Sequence, residues 1–123
     1  MARVHGDRSA AIERLKRLVD KLGLREVTWS TSFGDPSLKL RDKALLVVKE
    51  PEVLYLPCPL EQKELLMEMA PDIYYQTDHY KGWPGLLVRL DRIGDEELGL
   101  RLEDAWRYRA PKKLAAARAE GKT

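Results

Sequence analysis

The chain has one cysteine, one phenylalanine and two histidines in 123 residues, and each scarcity narrows the reading. Cys58 alone cannot close an internal disulfide, and no Cys/His cluster has the spacing of zinc ligands. No apolar run approaches the ~18 residues that a membrane span needs. The N-terminal Met-Ala-Arg-Val-His-Gly-Asp has no apolar run behind its positive charge, so no secretory signal is expected. A monomeric, cytoplasmic protein without membrane contact is the expectation.

Catalytic groups are equally thin. His5 sits in a terminus, leaving His79 as the histidine of the folded part. Ser30, Ser32 and Ser37 are present, but no nucleophile-elbow motif surrounds them. Asp78 beside His79 does not make a dyad, because adjacent loop side chains need not converge. Cys58, between two prolines, reads as a capping or semi-buried residue more readily than as an activated thiolate. Gly82-Trp83-Pro84-Gly85 has neither the length nor the lysine of a phosphate loop. Hard cations take oxygen ligands, yet the first helix offers only Glu13 and Asp20 among four basic residues. No catalytic residue, metal site or cofactor is expected.

What is present suits one compact core. Hydrophobic residues make up 44% and charged residues 34%, the latter above the roughly 25% of an average domain. A single domain over residues 1–123 follows, with its core at about 8–111 and a basic, fraying extension at 112–123. The formal net charge of +2 hides an uneven distribution: residues 1–25 sum to +4, residues 107–123 to +5 and the middle to −7. Basic ends can hold phosphates by releasing condensed counterions. They also serve as ordinary solvating tails.

Apolar residues Ile12, Leu15, Leu18, Val19 and Leu22 share one face of a helix, which Asp7 or Ser9 caps and Gly23 ends. The hydroxyl-rich stretch 28–36 leaves room for a short strand only. Segments 38–41, 44–48 and 53–56 read as strands with minimal connections, hence an antiparallel meander. Pro57-Cys58-Pro59 opens a second helix, for which Leu60, Leu65, Leu66 and Met69 are the burying candidates. Residues 73–77 and 86–91 make two more strands around a loop rich in Gly and Pro. A last helix carries Leu98, Leu102, Ala105 and Trp106 on its inner face and stops at Pro111. The predicted fold is α+β: a compact α-β-α sandwich, an antiparallel sheet of about five strands with N- and C-terminal helices packed on one face.

The loop His79-Tyr80-Lys81-Gly82-Trp83-Pro84 is the most unusual local feature. Its rings either fold back onto the core or form a stacking surface for a ligand or nucleic acid. Thr31-Ser32-Phe33-Gly34-Asp35-Pro36 with Lys39-Leu40-Arg41-Asp42-Lys43 resembles the front of the MmcQ/YjbR family. Asp78-His79-Tyr80-Lys81-Gly82-Trp83-Pro84, Leu87-Val88-Arg89-Leu90 and Asp104-Ala105-Trp106 before Ala110-Pro111-Lys112 resemble its back. The resemblance spans about residues 8–114. It implies a frataxin-like, double-wing fold and DNA binding, and it points to Thr31, Phe33, Gly34, His79, Tyr80, Gly82 and Trp83 as a motif loop or pocket. The basic first helix departs from the iron pattern of frataxins, so iron delivery is not implied.

On charge, the nucleic-acid candidates are Lys39, Arg41 and Lys43 in the hairpin 38–48, Lys81 in the aromatic loop, and Arg107, Arg109, Lys112 and Lys113 at the basic exit from the last helix. Such contacts mostly position a protein on phosphates and read little sequence. Weak, salt-sensitive duplex binding is the expectation. The alternatives are a protein-interaction module on the exposed sheet face and the loop 79–83, and a small-molecule pocket around Thr31, His79 and Tyr80.

Overall fold

The computed structural model describes residues 6–120, so His5 falls outside it. Helix α1 (Ser9–Leu22) leads into strands β1 (Val27–Ser32), β2 (Asp35–Leu40), β3 (Lys43–Glu50) and β4 (Val53–Pro57). Helix α2 (Leu60–Met69), strand β5 (Tyr74–Tyr75), a 3-10 turn (Asp78–Tyr80) and strand β6 (Gly85–Arg89) follow. The chain closes with α3 (Asp95–Arg109) and α4 (Lys112–Ala119). The sheet has six antiparallel strands in the order β1-β2-β3-β4-β6-β5. The α+β class and the meander hold, with one strand more than expected.

The extra strand comes from residues 28–36. Only Phe33 and Gly34 form the turn, both at positive φ, and Ser32 pairs directly with Asp35. Everything either side of those two residues is strand. The strand expected at 73–77 shrinks to two residues, and that at 86–91 becomes Gly85–Arg89.

Strand alternation divides the sheet into two faces. Val48, Leu54, Val88 and Tyr74 pair in one row and Trp29, Leu38 and Leu46 in another. Both rows lie under α1 and α3 and, apart from the partly buried Trp29 at the end of the second, belong to the core, together with Leu15, Leu18, Val19, Leu98, Leu102 and Trp106. Full burial of each such aliphatic side chain stabilises by ~1.5–3 kcal/mol. A bulge between Leu38 and Lys39 lets two consecutive residues, Leu45 and Leu46, reach that core. The partner row on the other face runs Ser30, Ser37, Val47, Tyr55, Leu87 and Tyr75 across all six strands. Val47 and Leu87 are buried but stand apart from the main core.

The first helix is built as its periodicity predicts. Asp7 accepts the Ser9 N–H at its start, and Gly23 ends it at φ 65°. Arg14 donates to Asp95 and to the carbonyls of Leu90 and Ile93 at 2.6–2.7 Å, tying α1 to the start of α3.

Helix α2 differs from its expected orientation. Of its four burying candidates Leu66 packs against the core, joined by Met67, but Leu60, Leu65 and Met69 are exposed and Lys63 is buried. The reason is a polar task for the inner face: Lys63 Nζ donates to the carbonyls of Tyr80 and Trp83, each at 2.7 Å.

The expected fraying of 112–123 is also corrected over 112–119, which is helix α4; residues 121–123 lie outside the described set. An isolated eight-residue helix is marginal in water, so α4 depends on its clasp. Arg118 pairs with both Glu103 oxygens at 2.6 and 2.7 Å, donates to the carbonyls of Leu22 and Gly23, and lies over Trp106. Arg118→Ala is expected to cost ~1–3 kcal/mol and to remove amide protection across 112–119 while α1 keeps its own. Unchanged protection in native-state hydrogen exchange would contradict the clasp.

Candidate functional site

The helices all lie against the core face, and the opposite face carries a cleft of about 510 Å³. That size is within the ~300–1,000 Å³ of small-ligand sites. Ser32, Phe33, Ala44, Val47, Lys49, Tyr55, His79, Tyr80 and Trp83 line it. Val47 and Tyr55 belong to the open-face row, so strand pairing puts them on the floor.

The loop before β6 is folded onto this floor. Tyr80 stacks on Tyr55 with ring centroids 5.4 Å apart, and His79 meets Tyr80 edge-on at 4.8 Å. Trp83 Nε1 donates to Tyr55 Oη at 3.1 Å, yet Trp83 remains 56% exposed. Gly82 turns the loop at φ 76°, and Cys58 N–H donates to the Pro84 carbonyl. Gly85 is required for close approach, because a Cβ there would stand 2.3 Å from Tyr55 Oη. Tyr80 therefore folds back onto the open face of the sheet, and Trp83 stays largely outside.

On the facing rim, Phe33 is fully exposed at φ 51° and Gly34 follows at φ 87°. Lys49 stands behind them, 3.5 Å from Asp35, which also accepts from Arg8 at 2.6 Å. Thr31 is corrected: it pairs with Pro36 in the alternation of Trp29 and Leu38, on the opposite face to the cleft, and Ser32 takes its place. Phe33, His79, Tyr80 and Trp83 are brought together, with Gly34 and Gly82 shaping the turns that carry them. Sequence reasoning missed Ala44, Val47, Lys49, Tyr55 and Lys63. The alternation around Tyr55 was visible, but nothing in it said which face would be left open.

Protonation states limit the chemistry. Burial pushes the Cys58 thiol up to about 11, which keeps it protonated at neutral pH. Burial also raises Tyr55, against the pull of the Trp83 N–H and of Arg109 nearby. Among the described residues His79 makes no hydrogen bond to a serine or carboxylate; its ring contact is with Tyr80. Among the described residues, no group of three or more His, Cys, Asp or Glu side chains could hold a metal ion, and no helix is long and apolar enough to cross a membrane.

The antiparallel register also locates the cations. The β2–β3 turn, the start of β1, the end of β4 and the start of β6 share one end of the sheet. Helix α3 starts at the other end, beside Arg14, and returns to this one, where Trp106 Nε1 donates to the Arg25 carbonyl. Lys39, Arg41, Lys43, Lys81, Arg107, Arg109, Lys112 and Lys113 thus come from four segments that meet at one end. Two are partly neutralised: Arg41 by Glu26 at 2.7 Å and Arg107 by Glu103 at 3.0 Å. Arg109 lies over Tyr108. Lys39, Lys43, Lys81, Lys112 and Lys113 make no ion pair among the described residues.

The YjbR family model matches residues 22–108. The chain is 38% identical over 55 residues to the uncharacterised proteins Mb2600 of Mycobacterium bovis and Rv2570 of Mycobacterium tuberculosis. That match covers 45% of this chain and 43% of theirs, so the chain spans less than half the length of these relatives. The crystal structure of Deinococcus radiodurans protein DR2400, a DUF419 domain, superposes with a TM-score of 0.67 at 19% identity, covering 90% of this chain and 86% of that one. That likeness is one of fold.

Proposed function

This chain belongs to the YjbR family, and we propose that it is a non-catalytic DNA-binding protein that holds phosphates with the cations at one end of its sheet. The observation that carries the reading is the meeting of four basic segments there, five of whose lysines have no ion-pair partner among the described residues. Each neutralised phosphate contributes about −0.9 to the slope of log K against log salt, so a slope near −3 to −5 is expected. Fluorescence anisotropy of labelled duplex at two salt concentrations tests it. Lys112→Glu with Lys113→Glu should weaken binding roughly tenfold at low salt and shallow the slope by about 2. No binding at low salt, or binding indifferent to salt, would end the reading.

A second reading, a protein-interaction module on the open face, is favoured by the exposure of Phe33 and Trp83. A partner that binds the purified chain after nuclease treatment, with nucleic acid failing to compete, would establish it instead.

A further inference from the structure

We infer that the open sheet face takes single-stranded nucleic acid, with one unstacked base entering the cleft beside Phe33, Tyr80 and Trp83. The inference rests on the phosphate-holding reading above and names the form of the polyanion. Its strongest support is Phe33. A bulky residue rarely adopts φ near 51°, and the first position of a two-residue hairpin turn favours Asn, Asp or Gly. Phe33 holds that conformation while burying nothing against its own chain. An aromatic ring kept outside the fold in a strained turn, at the lip of a cleft, is explained by something that enters the cleft.

The opposite wall is organised in advance. Lys63 holds the carbonyls of Tyr80 and Trp83, Tyr55 stacks on Tyr80, and Trp83 is tied to Tyr55 Oη. Rings fixed in this way lose little freedom when a base stacks on them. The chemistry of the lining excludes a duplex as occupant, since a paired base presents no face to an apolar slot. Charge favours an anion: Lys49, shared with Asp35 at 3.5 Å, is in the cleft wall, and Lys39, without an ion pair among the described residues, pairs with cleft residue Ala44 from the neighbouring strand. A second platform sits on the same face, where the Arg89 guanidinium lies 3.9 Å from the Tyr75 ring centroid. Tyr75 is two strands from Tyr55 in the same row, about 10 Å away at ordinary strand spacing. Stacking accepts any base, so little sequence preference follows.

The test titrates labelled twelve-residue oligothymidylate and a twelve-base-pair duplex against the wild type and Phe33→Asn at the same low salt. Asn tolerates positive φ, so this variant should fold with an unchanged or higher Tm. The single strand should bind at least tenfold more tightly than the duplex and quench tryptophan emission. Phe33→Asn should lower single-strand affinity about 5- to 100-fold and leave duplex affinity unchanged. Equal affinities that ignore Phe33→Asn would overturn this inference while the phosphate-holding reading stands. Failure of either oligonucleotide to bind would overturn that reading and this one with it. Displacement of oligothymidylate by polyglutamate as readily as by unlabelled oligothymidylate would also overturn it, because the face would then take an acidic polypeptide equally well.

Discussion

Lys63→Ala is expected to destabilise the protein by about 2–4 kcal/mol, from two hydrogen bonds to a charged group and the lost packing of a buried stem. For a domain of this size that is a fall of roughly 10 °C in Tm. Both acceptors belong to the cleft wall, so the loss should extend to the site: Tyr80 and Trp83 leave the floor, and Trp83 emission shifts to the red. Burial works against the Lys63 ammonium and lowers its pKa, so part of the gain from its hydrogen bonds is offset. Lys63→Met separates these contributions, because it keeps most of the stem and removes the charge. It should still cost about 1–3 kcal/mol and release the loop. A Lys63→Met protein as stable as the wild type, with unchanged Trp83 emission, would mean that the carbonyls of Tyr80 and Trp83 need no anchor.

Lys63 also shows where sequence reasoning about this chain stops. Apolar spacing identifies α1 and the inner stripe of α3, because those faces meet only hydrocarbon. In α2 the same rule turns the helix outward, since the acceptors that Lys63 satisfies are 17 and 20 residues ahead, in a loop. The turn at Phe33 hides for a related reason. Its first residue is contrary to local turn preference, and cross-strand pairing from Val27 with Leu40 to Ser32 with Asp35 imposes the conformation. Helix α4 has no apolar period to detect, because Arg118 is its principal tie. The cations and the motif residues were legible one at a time. Their grouping was not, since it depends on strand order: β6 must slot beside β4 before the loop 77–84 can cover Tyr55.

Asp35→Asn is expected to cost about 2–4 kcal/mol at neutral pH, because it leaves two cations without their counter-charge at a largely buried position. Arg8 spans from Asp35 to the Val48 carbonyl, so the same change loosens the start of α1 from strands β2 and β3. Burial alone would raise the Asp35 pKa; the hydrogen bond from Arg8 and the attraction of Lys49 together outweigh it, and the carboxyl ends below its ordinary 3.8. The unfolded chain therefore binds the proton first as pH falls. Stability from this group is complete above about pH 5 and is lost as pH drops through 4 towards the folded value. Glu103 acts in the same direction, held low by the Arg118 hydrogen bond against its own burial, with Arg107 adding to the effect. Wild-type Tm should fall between pH 5 and pH 3, and the gap between wild type and Asp35→Asn should narrow over that interval. Lys49 gains from the exchange: without Asp35 its charge is turned wholly to the cleft, so the folded fraction of Asp35→Asn should hold oligothymidylate at least as tightly as the wild type at pH 7. A Tm gap that stays constant from pH 7 to pH 3 would show that Asp35 is held by shape and not by charge.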